Sequence, residues 1–189
     1  FSVVFNKKIE TYGTFADGYC FENTTSQNHR KTIGVYVGFP VKAGEEILVK
    51  VASSFCDVAG ARHNLQVENP DWNFEAVKEG LKGIWEKRLS AIRVETSDSI
   101  AKSKFYTSLY HASFLPHALN DADGRYPSFA GGGKICTTAG TYFDDYSLWD
   151  TYRALHPLLS ILYPQQTGDM IQSLIDKYEQ GGWLPIFPC

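Results

Sequence analysis

Residues 142–153 read Tyr142-Phe143-Asp144-Asp145-Tyr146-Ser147-Leu148-Trp149-Asp150-Thr151-Tyr152-Arg153, which sets three carboxylates, one arginine and five aromatic rings in a single short stretch. Charge is costly to bury, and large aromatics seldom lie beside it in a core without reason. The mixture suits a sugar. An aromatic ring covers the apolar face of a pyranose, while carboxylate and guanidinium groups hydrogen-bond its hydroxyls. Glycoside hydrolysis also needs two positioned carboxylates, and Asp144, Asp145 and Asp150 are candidates by proximity. Spacing along a chain does not measure spacing across a sugar ring, so no acid/base pair follows from it.

Plainer chemistry competes at each position. Ser147 and Asp150 fit a capping box, with Ser147 as the N-cap and Asp150 as its partner three residues on. Arg153 could pair with Asp150 on one helical face, and Trp149 could stack on Arg153. In Asn120-Asp121-Ala122-Asp123-Gly124-Arg125, a calcium-loop alignment puts Leu119 and Ala130 where oxygen ligands belong, so the EF-hand reading fails. An Asx-type turn built on Asp121 or Asp123 and Gly124 is the simpler reading. His29, His63, His111, His117 and His156 show no metal spacing and read as structural or surface residues. No G-x-S-x-G, G-x-G-x-x-G or P-loop pattern occurs, which leaves serine-hydrolase and nucleotide chemistry without an anchor.

The elements that must hold these residues change character along the chain. Residues 1–60 alternate with period two. Ile33, Val35, Val37 and Phe39 line one face of a strand over residues 32–39, and Ile47, Val49, Val51 and Phe55 one face of residues 45–55. Pro40 to Gly44 reads as a hairpin connection between them. From residue 71 the period becomes helical, with Trp72, Phe74, Val77, Leu81, Ile84, Trp85, Leu89 and Ile92 spaced by threes and fours up to residue 92. Further helices are expected over residues 97–119, 146–163 (bent at Pro157) and 165–180, the last with Met170, Leu174 and Ile175 on the core face and Gly181 as a left-handed cap. Residues 120–141 read as a glycine-rich loop.

Composition narrows the partners. The 189 residues carry a net charge of -3 with no basic run, so nucleic acid is not expected as a partner. Aromatic residues make up 14%, which tilts toward ligand stacking. No apolar run is long enough to span a membrane. No signal peptide is present, and the chain opens on Phe1 within a strand, so a mature, trimmed or partial chain is expected. Asn23-Thr24-Thr25 is a sequon in a polar stretch, which points to a secreted glycoprotein glycosylated at Asn23. In that setting at least one disulfide among Cys20, Cys56, Cys136 and Cys189 is expected, with the pairing open.

Taken together, five segments resemble glycoside hydrolase family 92, the calcium-dependent, inverting exo-α-mannosidases. They are Phe105 to Ala112, Asp121 to Tyr126, Ser147 to Leu158, Asp169 to Leu174, and Glu179-Gln180-Gly181-Gly182-Trp183-Leu184-Pro185. The resemblance implies an α+β multidomain fragment. Residues 1–62 would end an antiparallel β-sandwich, 63–96 would form a linker helix, and 97–189 would begin an (α/α)6 toroid. It implies that Asp150 binds sugar hydroxyls and that Trp149, Arg153 and Trp183 shape or support that subsite. It also implies mannose-containing glycans as substrate, a Ca2+ cofactor held mostly by other segments, and acid and base residues downstream of Cys189. Residues 1–189 alone would then be inactive and would work with the remainder of the polypeptide or a companion chain. The competing readings are a non-catalytic carbohydrate-binding protein and a helical interaction module whose aromatics are all core.

Overall fold

The computed structural model describes residues 1–28 and 30–185; His29 and Cys189 lie outside the described residues. The chain is an α+β assembly of small sheets and helices. It divides into two compact units, one of Val3–Val51 and one of Phe1–Ser2 with Ala52–Cys189.

The β unit holds β1 (Ser2–Phe5), β2 (Thr11–Ala16), β3 (Tyr19–Glu22), β4 (Ile33–Gly38) and β5 (Val49–Ala52). β2 is the centre of an antiparallel sheet ordered β3-β2-β4, with Thr14 opposite both Phe21 and Val35. The hairpin expected between residues 32–39 and 45–55 does not form, because β5 pairs with β1. Polar side chains near β1 capture that segment. Asn6 accepts from the Leu48 amide at 2.9 Å, its own amide donates to the Leu48 carbonyl at 3.1 Å, and Lys7 pairs with Glu45. The Phe15 ring lies against Gly34, where a Cβ would fall 2.1 Å from the ring. Buried Thr14 shares a 2.5 Å hydrogen bond with Thr24 and accepts one from Gln27 at 3.1 Å, which ties down the irregular segment after exposed Asn23.

The helical unit opens with α1 (Val58–Glu68), a helix the period-two reading of residues 1–60 missed. Asp57 caps it by accepting from the Gly60 amide at 2.6 Å. α2 (Phe74–Leu89) lies within the expected run but starts later, because Asn73 is the cap and accepts from the Ala76 amide at 3.0 Å. No residue of α2 is buried. Its contacts run through Trp85, edge-on to Tyr110 at 4.5 Å, and Arg88, stacked on Tyr163 at 4.2 Å. α3 (Ser99–His111) is capped by Asp98 and stops well short of residue 119. The Ser113 hydroxyl bonds the Leu109 carbonyl at 2.9 Å, the Ser113 and Phe114 amides tighten to three-residue bonds, and Pro116 cannot donate to extend the helix.

The expected loop over residues 120–141 is structured. β7 (Arg125–Pro127) and β8 (Ile135–Thr137) form an antiparallel hairpin, while β6 (His117–Ala118) pairs with β9 (Phe143–Asp144). The helix expected over residues 146–163 is two pieces, α4 (Leu148–Thr151) and α5 (Leu155–Leu162). Pro157 has no N–H for the carbonyl of Arg153, so helix cannot run through from upstream. α6 (Pro164–Gly181) begins on its proline and ends at Gly182, whose φ of 78° makes it, not Gly181, the left-handed cap. Phe143, Tyr146, Leu159 and Met170 form the core cluster, with Leu174 packed at its edge. Ile175 is exposed, contrary to expectation.

Cys20, Cys56 and Cys136 carry free thiols, so no disulfide links the described residues. None of the described helices is long and apolar enough to cross a membrane.

Candidate functional site

The stretch from Tyr142 to Arg153 sits on a buried polar scaffold supplied by α6. That helix turns Met170, Ser173 and Lys177 inward, spaced by three and four residues. The Ser173 hydroxyl donates to the Asp169 carbonyl at 2.7 Å and accepts from the Phe143 amide at 2.9 Å, locking β9 to the helix. Lys177 is 1% exposed, and its Nζ donates to the Tyr142 hydroxyl at 2.7 Å and pairs with Asp144 at 2.9 Å. The ammonium also lies over the Tyr142 ring, 4.1 Å from its centre. Tyr142 stacks on Tyr126 with centroids 3.7 Å apart, and Gln180 donates to the Tyr126 hydroxyl at 2.9 Å. Burial pushes the Lys177 ammonium below the usual lysine range, against the opposing pull of Asp144. Burial also pushes the Tyr142 hydroxyl well above the usual tyrosine range, with the Asp144 charge adding to it.

Beyond Asp144 the chain turns sharply. Asp145 and Ser147 are both left-handed at φ 49°, and Tyr146 between them points inward and donates to the Met170 carbonyl at 2.7 Å. Asp145 accepts from the His117 backbone amide at 2.7 Å and from His117 Nδ1 at 2.5 Å. Ser147 occupies the N-cap position of α4 but makes no side-chain bond to the helix backbone. Its hydroxyl instead reaches the Asp150 carboxylate at 3.3 Å, so the two residues touch without forming the reciprocal capping box.

The residues expected to contact sugar then stand as follows. Trp149 is 72% exposed, and Asp150 beside it is exposed as well. Arg153 does not pair with Asp150. Its Nε donates to the Tyr152 hydroxyl at 2.9 Å, and its guanidinium lies 5.4 Å from the Tyr152 ring centre. Trp183, half exposed after the Gly182 cap, packs on Phe129 at 4.7 Å. α4 therefore carries an uncovered indole and, one residue on, an uncovered carboxylate, an apolar platform and an acceptor of the kinds a sugar needs. The structure brings Trp149 and Asp150 together on one element, and holds Trp183 by a different contact.

A second polar cluster ties the turn at Asp121 to the start of α1. Asp121 is 3% exposed and accepts from Ser54 at 2.7 Å and Asn64 at 2.8 Å. Arg125 bonds both Asp57 and Asp123 at 2.8 Å, which holds those two carboxyls below the usual range. The turn is of the Asx type expected, with Asp123 accepting from the Arg125 amide at 3.1 Å and Gly124 left-handed at φ 83°. Among the described residues, no group of three His, Cys, Asp or Glu side chains could hold a metal ion. Asp57 and Asp123 are instead spent on a guanidinium.

Sequence reasoning did not find Lys177, Asn64 or the His117–Asp145 pair. The register of Lys177 with Met170 and Ser173 was the one available sign. His156, whose Nε2 is buried without a partner, is held below the usual histidine range by burial alone.

Residues 60–189 match the glycosyl hydrolase family 92 catalytic domain. No curated protein matches the chain. Among solved structures, the family GH92 alpha-mannosidase BT3965 from Bacteroides thetaiotaomicron is 29% identical with a TM-score of 0.84, over 98% of this chain and 26% of that one. The same enzyme is also known in complex with mannoimidazole, where the TM-score is 0.83 with 25% of that chain covered. The family GH92 inverting mannosidase BT2199 from the same organism is 25% identical with a TM-score of 0.85, again over 98% of this chain and 25% of that one. The chain thus spans about a quarter of the length of these relatives. With the family match covering more than half of its residues, the chain belongs to glycosyl hydrolase family 92.

Proposed function

We propose that this chain is part of a glycoside hydrolase that removes terminal α-linked mannose from glycans with inversion of configuration. The observation that carries the reading is the exposure of Trp149 and Asp150 on α4, which follows a buried scaffold in a chain of this family. The relatives named as mannosidases, one of them bound to mannoimidazole, support mannose as the sugar.

In this reading Trp149 covers the apolar face of the mannose, Asp150 accepts from its hydroxyls, and Arg153 donates to them. Trp183 supports the wall of the subsite. A base activates water for direct displacement while an acid protonates the leaving oxygen. Both groups come from segments outside residues 1–189. Calcium, which polarises oxygen ligands and can help distort a bound sugar ring, would be held mostly by those other segments. Residues 1–62 end an antiparallel β-sandwich, 63–96 link, and 97–189 begin an (α/α)6 toroid, completed by the rest of the polypeptide or a companion chain. The exposure of Asn23 supports glycosylation there and a secreted protein.

The test is mannose binding and α-mannoside hydrolysis by the longer polypeptide, wild type against Asp150→Ala, with folding followed by circular dichroism. Loss of mannose affinity with the fold retained is expected. Unchanged affinity would sink the reading.

A further inference from the structure

Asp145 and Ser147 share an unusual backbone. Both have φ 49° although neither is glycine. A residue with a Cβ stays in the left-handed region only where its surroundings hold it there. Inside the bend, Tyr146 is 3% exposed and its hydroxyl donates to the Met170 carbonyl at 2.7 Å. Outside it, the Asp145 carboxylate receives the backbone amide and the ring nitrogen of His117, and β6 keeps His117 opposite Asp144. Asp144 itself faces Lys177, so the two adjacent carboxylates are committed to different partners.

The element that follows cannot orient itself. α4 has four residues and none is buried. Leu148 packs at the edge of the core, and the remaining side-chain bonds of α4 lead back into the bend. The Thr151 hydroxyl lies 3.1 Å from the carbonyls of both Tyr146 and Ser147, and Ser147 reaches Asp150. The direction in which Trp149 and Asp150 leave the surface is therefore set by the reversal at residues 145–147.

We propose that His117 and Asp145 are positioning residues that hold the Trp149–Asp150 surface in register with the sugar. This rests on the reading of that surface as the mannose subsite. His117 Nδ1 is turned to the Asp145 carboxylate, and among the described residues the ring makes no hydrogen bond to Trp149, Asp150, Arg153 or Trp183.

The test uses steady-state hydrolysis of an α-mannoside by the longer polypeptide, with melting temperature measured beside it. His117→Ala removes the ring bond and keeps the backbone one. Asp145→Gly relieves the left-handed backbone but removes the clamp. Both are expected to raise KM about fivefold with kcat within about twofold, since displacing a positioned group weakens binding before it alters chemistry. Asp145→Gly is expected to leave the melting temperature unchanged. His117→Asn, whose amide can donate to Asp145, restores most of the affinity. Unchanged KM in both His117→Ala and Asp145→Gly, with Asp150→Ala impaired, overturns this inference and leaves the subsite reading standing. A fall in kcat or melting temperature with KM unchanged also overturns it, because that marks a merely structural role. An Asp150→Ala enzyme with normal KM overturns the subsite reading and this inference together. If Asp145→Gly does not fold, His117→Ala and its asparagine rescue decide alone.

Discussion

Lys177 and Asp144 form an ion pair 2.9 Å long in which the lysine is 1% exposed and the carboxylate still reaches solvent. The asymmetry has an energetic meaning. Removing the lysine leaves a cavity and an unpaired Tyr142 hydroxyl, while the aspartate can rehydrate. Lys177→Ala should therefore cost about 3 kcal/mol of stability, near the lower end for breaking a buried pair. Lys177→Met, which refills the space, should cost about 1 kcal/mol. Urea unfolding of both variants checks this, and equal losses would show that the charge, not the volume, is what the core needs.

Asp121 has no such outlet. Its carboxylate accepts from Ser54 and Asn64, and Arg125 Nη2 lies 3.9 Å away. Asp121→Ala leaves two donors without their buried acceptor and should cost about 3 kcal/mol, with Asp121→Asn costing about half as much. The matching melting temperatures decide, and a loss under about 0.5 kcal/mol would mean that water replaces the carboxylate.

Gly124 should tolerate no side chain. Its φ is 83°, and an added Cβ would fall 2.5 Å from the Thr138 carbonyl oxygen. Gly124→Ala is expected to lower stability by about 2 kcal/mol, combining backbone strain with the displaced β7–β8 hairpin. A wild-type melting temperature for that variant would contradict the close approach.

Trp149 offers the opposite contrast. At 72% exposure it contributes little to folding, so Trp149→Ala should leave the melting temperature within about a degree. If Trp149 covers the sugar as proposed, mannose affinity of the longer polypeptide should fall about tenfold, equivalent to about 1.4 kcal/mol. Calorimetric titration of mannose together with a thermal melt separates the two effects.

Stability should fall on both sides of neutral pH. Burial holds the hydroxyls of Tyr126, Tyr142 and Tyr146 above the usual tyrosine range. Unfolded tyrosines release protons near pH ~10 while the folded ones keep theirs, so this contribution is whole below pH ~10 and is lost above it. Lys177, pushed down by burial, acts in the other sense and favours the folded state as pH rises toward the ordinary lysine range. On the acid side His156 stays neutral in the fold, so stability is lost as pH falls below about 6.5, where the unfolded histidine takes up a proton. Asp57 and Asp123 add a further loss below about pH 4. Tyr36 is raised as well, so four raised tyrosines outnumber one lowered lysine, and melting temperature should decline above pH ~10. A rise from pH ~9 to ~11 would reverse that balance.

How far the sequence reveals the fold depends on whether local pattern or distant partners decide. Period-two alternation locates β4 and β5, because each strand carries its own apolar face. It does not reveal that β5 pairs with β1, since that choice is made by Asn6 and Lys7 some forty residues away. α1 escapes because its buried stripe is Gly60, Ala61, Asn64 and Leu65, too small and polar to register as an apolar period. Trp149 and Asp150 are legible as residue types that suit a sugar. Lys177 is not, because nothing on α6 says that Tyr142 and Asp144 will face it. The family membership rests on longer runs of matched residues, where local chemistry and spacing combine.

The absence of any buried residue in α2 bears on how residues 1–189 would open in time. A helix of that length gains little from backbone bonds alone, and its tertiary anchors are concentrated near its end, at Trp85 and Arg88. Its first three turns should exchange amide hydrogens within the fast regime, while the amides of α6 around Ser173 and Lys177 persist until the whole unit unfolds. The chain would thus loosen from the start of α2 first, with the floor beneath the Trp149–Asp150 surface the last part to let go.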